Sequence, residues 1–173
     1  RFAMIKQAMQ EDNNILDRSI YEDEIFMRMN TEMGNATEVE YDIYKSLLAN
    51  MMEELPFASH KKSPDLMITI KVSYDTMLKR IEKRGREYEL VENDPSLVDY
   101  YHRLLKQYDI WRDEYDASPM LVIDGDKYDF VTNMEDRVEV LEMIEDKLVE
   151  LGNLTAEKAA ELKEKHKILL DEE

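Results

Sequence analysis

Three observations predict an α/β fold, a parallel sheet flanked by helices. Helix-like and strand-like segments alternate along the chain, as βαβ units require. The run Leu-Met-Ile-Thr-Ile-Lys-Val over 66–72 is β-branched and nearly continuous in apolar character, as a strand covered on both faces should be. The 173 residues are 43% hydrophobic, with the apolar residues dispersed along the chain. That is too apolar for disorder and suits a single domain of ~100–200 residues. Three strands are expected, at 14–16, 66–72 and 120–123.

The elements follow in order. Residues 1–11 read as an amphipathic helix already under way at Arg1, with Phe2, Ile5 and Met9 on one side, so an earlier natural start is expected. Asn14-Ile15-Leu16 is a short apolar run stopped by Asp17-Arg18-Ser19, which suits a buried strand ending at its C-terminal edge. A Met-rich helix over 19–33 ends at Gly34. Thr37 caps a long helix in which Val39, Ile43, Leu47, Met51 and Leu55 recur every fourth residue until Pro56 stops it. Residues 57–65 form a polar loop. After the 66–72 strand, Ser73 caps a helix carrying Met77, Leu78 and Ile81, which Gly85 interrupts. Asn93-Asp94-Pro95 is turn chemistry before a helix over 96–115, whose Tyr100, Tyr101, Tyr108 and Trp111 read as helix packing.

The strand at 120–123 closes at Asp124-Gly125-Asp126. Thr132-Asn133-Met134-Glu135 has capping-box spacing for a helix with Val138, Leu141, Ile144, Leu148 and Leu151 on one side, ended by Gly152. A last, highly charged helix from Thr155 reads as an appendage. The main domain is thus expected over 1–152 and a C-terminal extension over 153–173.

Charge narrows the function. The chain carries 23 Lys plus Arg against 40 Asp plus Glu, a formal charge of −17. DNA, RNA and anionic membranes all ask for a broad basic face, so none is an expected partner. There is no cysteine, which excludes disulfide and thiolate chemistry and suits a reducing cytoplasm. No apolar run approaches the ~18 residues of a membrane span. His60, His102 and His166 are scattered without ligand spacing. The methionines at 27, 29, 33, 51 and 52 suit a core or a subunit interface.

In parallel sheets ligands bind outside the carboxyl ends of strands, so the residues after each strand carry the interest. After the first expected strand comes Asp17-Arg18-Ser19-Ile20-Tyr21-Glu22-Asp23. A strand-end acid can hold Mg²⁺ and the adjacent Arg offers a planar fork, although for the tripeptide taken alone Asp17 or Ser19 serving as a helix cap is the simpler explanation. The stronger signal is Lys79-Arg80-Ile81-Glu82-Lys83-Arg84-Gly85-Arg86, followed by Glu87-Tyr88-Glu89. Arg80 and Arg84 share one helix face and Gly85 frees the backbone before Arg86, so three guanidinium groups can converge on a polyphosphate. The competing reading is a solvated helix C-terminus whose cations complement the helix dipole.

Together with Ile123-Asp124-Gly125-Asp126 and Tyr128-Asp129-Phe130, these segments resemble the bacterial deoxyadenosine/deoxyguanosine kinases of the deoxynucleoside kinase family, from Arg1 to about Leu151. The resemblance implies a three-layer P-loop kinase-like fold and transfer of the ATP γ-phosphoryl group to the 5′-hydroxyl of a purine deoxynucleoside, in nucleotide salvage, with Mg²⁺. It also implies a homodimer, or a heterodimer with a close relative. By the family's pattern Asp17 lies near the metal and Arg18 near the 5′-hydroxyl. Arg80, Arg84 and Arg86 are catalytic lid residues that also bind ATP, and Glu89 accepts the sugar 3′-hydroxyl. Asp23 and Arg1 read the base, and Asp129 and Phe130 border the ATP adenine.

One departure concerns the active site itself. The four glycines, at 34, 85, 125 and 152, leave no room for a GxxxxGK[ST] loop. The family's catalytic glutamate also belongs to a strand N-terminal to these residues. An N-terminally truncated kinase with three of five strands is therefore expected, inactive by itself. A thymidylate-kinase-like nucleoside monophosphate kinase and an inactive dimerisation or nucleotide-binding module stay open as alternatives.

Overall fold

The computed structural model describes residues 2–10, 14–53 and 63–171. Short-range polar chemistry sets most of its element ends. After α1 (Phe2–Ala8), the Ser19 hydroxyl oxygen accepts the Tyr21 N–H at 3.0 Å and opens a 3₁₀ turn, Ile20–Glu22, which runs into α2 (Asp23–Glu32). Thr37 and Glu40 form a reciprocal capping box at the start of α3 (Glu38–Glu53): the Thr37 N–H donates to Glu40 Oε2 at 2.7 Å, and the Glu40 N–H donates to Thr37 Oγ1 at 3.2 Å. The Pro56 stop and most of the 57–65 loop lie outside the described residues.

Strand β1 (Met67–Lys71) leads to α4 (Tyr74–Arg84), whose cap is Ser73, as expected, accepting the Thr76 N–H at 3.3 Å. Gly85 ends α4 with φ of 70°, a left-handed conformation that costs glycine nothing, and donates its N–H to Ile81 O at 3.1 Å. A 3₁₀ turn, Glu87–Glu89, follows. Asp94 Oδ1 collects the Ser96 N–H and hydroxyl before α5 (Leu97–Glu114). Strand β2 (Met120–Asp124) precedes α6 (Met134–Glu150), and Thr155 Oγ1 accepts the Lys158 N–H at the start of α7 (Ala156–Asp171). The cap of α6 is Asn133, which accepts the Asp136 N–H at 3.0 Å, one residue after the expected Thr132. The Thr132 hydroxyl is already committed, donating to Asp129 Oδ2 at 2.5 Å.

The sheet pairs β1 with β2 in parallel, Met67 opposite Met120 through Lys71 opposite Asp124. Two of the three expected strands are therefore present among the described residues. Residues 14–16 are not a strand: Ile15 is 99% exposed, and without a ladder partner an apolar run has no reason to stay extended and buried. Coverage is also less complete than the 66–72 pattern predicts. Parallel partners project to the same side, yet Leu121 and Ile123 pack under α6 while Ile68 and Ile70 stay half exposed. Among the described residues α6 packs against β2, and its cover does not extend to Ile68 and Ile70 of β1.

The chain divides into two compact units. Residues 1–63 with 91–115 form one, and 64–90 with 116–173 the other. In the second, Ile123, Tyr128 and Val140 form the core, with Phe130, Met143 and Ile144 packed around them. Helix α6 buries Val138, Val140 and Glu145 rather than the single stripe through Leu141, because it serves two neighbours, β2 and α7. Ala159 and His166 of α7 are buried as well, and His166 Nε2 stands 3.4 Å from Glu145 Oε1. Burial pushes the Glu145 carboxyl above its ordinary value.

Candidate functional site

In the first unit the chemistry gathers at Arg18. It is the one non-glycine among the described residues with a positive φ, 65°, a conformation that costs an L-residue of order 1–3 kcal/mol. That strain aims the side chain. Its Nε donates to Glu22 Oε1 at 2.9 Å and its Nη2 to the Tyr108 hydroxyl at 3.2 Å, and the guanidinium lies 4.8 Å from the centre of the Phe26 ring. Burial lowers the Arg18 pKa, but Tyr108 and Glu22 outweigh it and the net shift is upward, so the cation is secure. Tyr108 meets Phe26 edge-on at 6.5 Å, and the Trp111 indole N–H donates to the Tyr21 carbonyl at 3.0 Å. Helix α5 thus holds the turn that carries Arg18. Asp17 is exposed beside it, and Asp23, half-buried, opens α2 with its N–H on the Ile20 carbonyl. Arg1 lies outside the described residues.

In the second unit the cationic segment is organised by an acid. Arg84 Nη2 donates to Glu89 Oε2, and Arg86 Nη1 donates to Glu89 Oε1 at 3.3 Å. Glu89 is the least exposed of the three, with 17% of its side chain open against 49% and 53% for the arginines. The helix stop at Gly85 makes this possible, because it turns Arg86 back toward a carboxylate that Arg84 reaches from the last turn of α4. Glu89, with Tyr88 adding to it, also raises the Arg86 pKa. Two cations sharing one carboxylate retain a net positive charge and several outward N–H donors, which suits a phosphate chain. Arg80 is placed differently: its Nη2 donates to Gly125 O at 2.6 Å and Tyr128 O at 3.2 Å.

The loop after β2 is stitched down along its length. Asp126 accepts the Ser73 N–H at 2.9 Å and the Ser73 hydroxyl at 2.9 Å, and the Thr76 hydroxyl, ahead of these, holds its carboxyl below the usual range. The Asp129 N–H donates to Asp136 Oδ2 at 2.7 Å. The Tyr128 hydroxyl donates to Glu139 Oε1 at 2.5 Å, joined there by Lys127 Nζ at 2.9 Å. Arg137 donates to the carbonyls of Phe130 and Val131 at 2.9 and 2.7 Å.

Comparison with known proteins fits this order of motifs. The family model for deoxynucleoside kinase matches residues 1–150. The chain belongs to the deoxynucleoside kinase family. It is 57% identical over 152 residues to a deoxyguanosine kinase of Lactobacillus johnsonii, covering 88% of this chain and 67% of that protein. A deoxyadenosine kinase of Lactobacillus acidophilus is 56% identical over 154 residues, 89% of this chain and 71% of its own length. A deoxyadenosine/deoxycytidine kinase of Bacillus subtilis is 34% identical over 126 residues, 72% of this chain and 54% of its own. No solved structure matches the chain.

For a deoxynucleoside kinase, the expected residues thus fall into two sets. Asp17, Arg18 and Asp23 belong to the first unit, and Arg80, Arg84, Arg86, Glu89, Asp129 and Phe130 to the second. Kinases of this family use ATP, normally with a divalent metal. Among the described residues, no helix is long and apolar enough to cross a membrane. Sequence reasoning missed Glu22 and Tyr108 as partners of Arg18. Glu22 carries a signal, four residues after Arg18, whereas Tyr108 sits ninety residues away and carries none. It also missed Asp126, which reads as one acid of a turn until its partner Ser73 is seen.

Proposed function

We propose that this chain serves the transfer of the ATP γ-phosphoryl group to the 5′-hydroxyl of a purine deoxynucleoside, deoxyadenosine or deoxyguanosine. The observation that carries the reading is the Glu89 carboxylate shared by Arg84 and Arg86 at the break after α4. The names of the Lactobacillus relatives, deoxyguanosine and deoxyadenosine kinase, support the purine acceptor. In the transfer the 5′-hydroxyl gives its proton to a general base, the role the family assigns to its catalytic glutamate, as the 5′-oxygen bonds to Pγ; the bond from Pγ to the β,γ-bridging oxygen breaks, and ADP leaves. Such a reaction needs positioning and positive charge more than covalent catalysis. Arg18, fixed by Glu22 and Tyr108, presents its fork to the 5′-oxygen. Arg84 and Arg86 meet the charge of the transferring group, while Glu89 accepts the sugar 3′-hydroxyl. Asp129 and Phe130 border the donor adenine.

One exposed carboxylate fits Mg²⁺, which keeps several waters and takes few protein ligands beside substrate phosphates, so Asp17 would hold it. The chemistry it would supply there is neutralisation of phosphate charge. A cytoplasmic setting suits the cysteine-free sequence. Pairing with a second copy or a close relative is supported by α3: none of its described residues is buried, and Val39, Ile43 and Leu47 line one side at more than half exposure. A monophosphate kinase or a module without activity is less favoured, given the relatives' names.

The test is turnover of deoxyadenosine and deoxyguanosine with ATP by the full-length protein, with the 5′-monophosphate identified as product. Residues 1–173 expressed alone are expected to give none, since they supply no P-loop amides or lysine to cradle the phosphates. Turnover of nucleoside monophosphates in place of nucleosides overturns the reading. The base assignment has its own test. A carboxylate at Asp23 accepts N–H groups of the base, so Asp23→Ala should compress the preference among deoxyadenosine, deoxyguanosine and deoxycytidine by about tenfold in kcat/KM. An unchanged ranking and spread removes Asp23 from that role.

A further inference from the structure

Helix α4 and the loop after β2 are joined at two points. At the N-terminal end of α4, the Asp126 carboxylate takes the Ser73 N–H at 2.9 Å and the Ser73 hydroxyl at 2.9 Å. Two turns further on, Arg80 points back along the loop. It donates to the carbonyls of Gly125 at 2.6 Å and Tyr128 at 3.2 Å. Between these points Gly125 lies so close to β1 that its N–H reaches Lys71 O at 2.7 Å. Arg80 is half-buried, and a guanidinium donating to two main-chain carbonyls has its charge solvated by the protein itself. Arg84, one turn on, is directed elsewhere, to Glu89. Two arginines on one helix face therefore do two different things.

We propose that Arg80 and Asp126 are positioning residues that clamp the 124–130 loop onto α4, so that the loop bordering the donor base and the lid arginines move as one body. The proposal rests on the kinase reading above, in which Asp129 and Phe130 border the donor base and Arg84 and Arg86 meet the phosphates. Its physical content is a shared rigid element. A donor whose base seats well against 128–130 sets the register of α4, and with it the place of Arg84. Two anchors about two turns apart fix both the position and the rotation of the loop against the helix, which one anchor cannot do. The clamp acts before chemistry, on how well ATP is held and told from other triphosphates.

The experiment uses the full-length kinase with Arg80→Met, which keeps the length and removes the donors, and Asp126→Asn, which keeps the shape and removes the charge. With the deoxynucleoside saturating, ATP and then UTP are varied. Asp126→Asn is expected to raise KM for ATP about tenfold while kcat stays within about threefold, and to bring the ATP-to-UTP ratio of kcat/KM toward unity. Arg80→Met should move KM for ATP and the donor ratio in the same direction, with any further fall in kcat belonging to the lid role of Arg80. A fall in kcat of a hundredfold or more at unchanged KM in Asp126→Asn overturns the proposal, since the loop then acts on the transferring group. A lowered Tm with KM and donor ratio unchanged also overturns it, because the contacts are then only structural. Amide hydrogen exchange at Asp126–Phe130 gives a readout that needs no turnover: it should accelerate in both variants, and unaltered exchange overturns the clamp. A wild-type protein without ATP-dependent phosphorylation fails the kinase reading, which the exchange result does not touch.

Discussion

Arg84→Lys in the full-length kinase is expected to lower kcat by ~10²–10³ with a much smaller rise in KM, because a transition-state arginine in phosphoryl transfer is worth ~10³–10⁵ in rate. Lysine keeps the charge and loses the planar fork. In the resting protein that fork is anchored on one oxygen of Glu89 while Arg86 holds the other, so the two guanidiniums are spaced by a single carboxylate. A lysine ammonium can meet Glu89 or the phosphate, but it has no second in-plane donor to keep the spacing. The measurement is steady-state kinetics with ATP and deoxynucleoside varied in turn. The dipole reading predicts the opposite, a nearly silent change, since lysine complements a helix C-terminus about as well as arginine. Wild-type kcat in the variant would assign the cationic segment to solvation and leave no phosphate site there.

The second large effect is on stability. A Cβ added at Gly125 would stand 2.6 Å from Val72 Cγ1, 2.9 Å from Ile70 Cγ2 and 3.1 Å from Lys71 O. None of these is the far end of a flexible side chain. Both methyl groups are on stiff β-branched residues at the end of β1, and the oxygen is backbone already bonded to the Gly125 N–H. Gly125→Ala should therefore cost about 1–3 kcal/mol through overpacking. For a chain of this size that lowers Tm by roughly 2–4 °C per kcal/mol. Thermal and urea denaturation of the variant measure it, and an unshifted Tm would mean the approach relaxes freely.

What the sequence made legible was local. Ser73, Thr37 and Gly85 act on residues three or four positions away, so their chemistry can be read from spacing, and each does what its spacing predicts. Thr132 shows the limit of the same method. Its spacing suits a cap, but Asp129 competes for the hydroxyl and Asn133 takes the role. Residues 14–16 show another limit, since a three-residue apolar run carries no information about whether a neighbouring strand pairs with it. In the candidate site, the cationic segment was legible as three arginines around Gly85, but the Glu89 carboxylate that Arg84 and Arg86 share was not. The division of labour between Arg80 and Arg84 was not, because it depends on carbonyls 45 and 48 residues away. The same holds for Arg18, whose strain and whose Tyr108 partner exist only once α5 has packed.

The route of the chain through its two compact units has a consequence for how the protein reaches its native state. Each unit is assembled from two stretches, and the stretches alternate: 1–63, then 64–90, then 91–115, then 116–173. No single cut separates one from the other. Ser73 and Asp126 are 53 residues apart, and the β1–β2 ladder beside them must close over the whole of α5. Loop-closure entropy is spent before that pairing returns anything, which makes parallel strands with long connections slow to form. Helices α6 and α7, contiguous in sequence, can dock on each other early. The sheet, and the loop that Gly125 and Asp126 fasten to it, should therefore be among the last parts to gain protection during refolding, after the segment carrying α5 has found its place against α2.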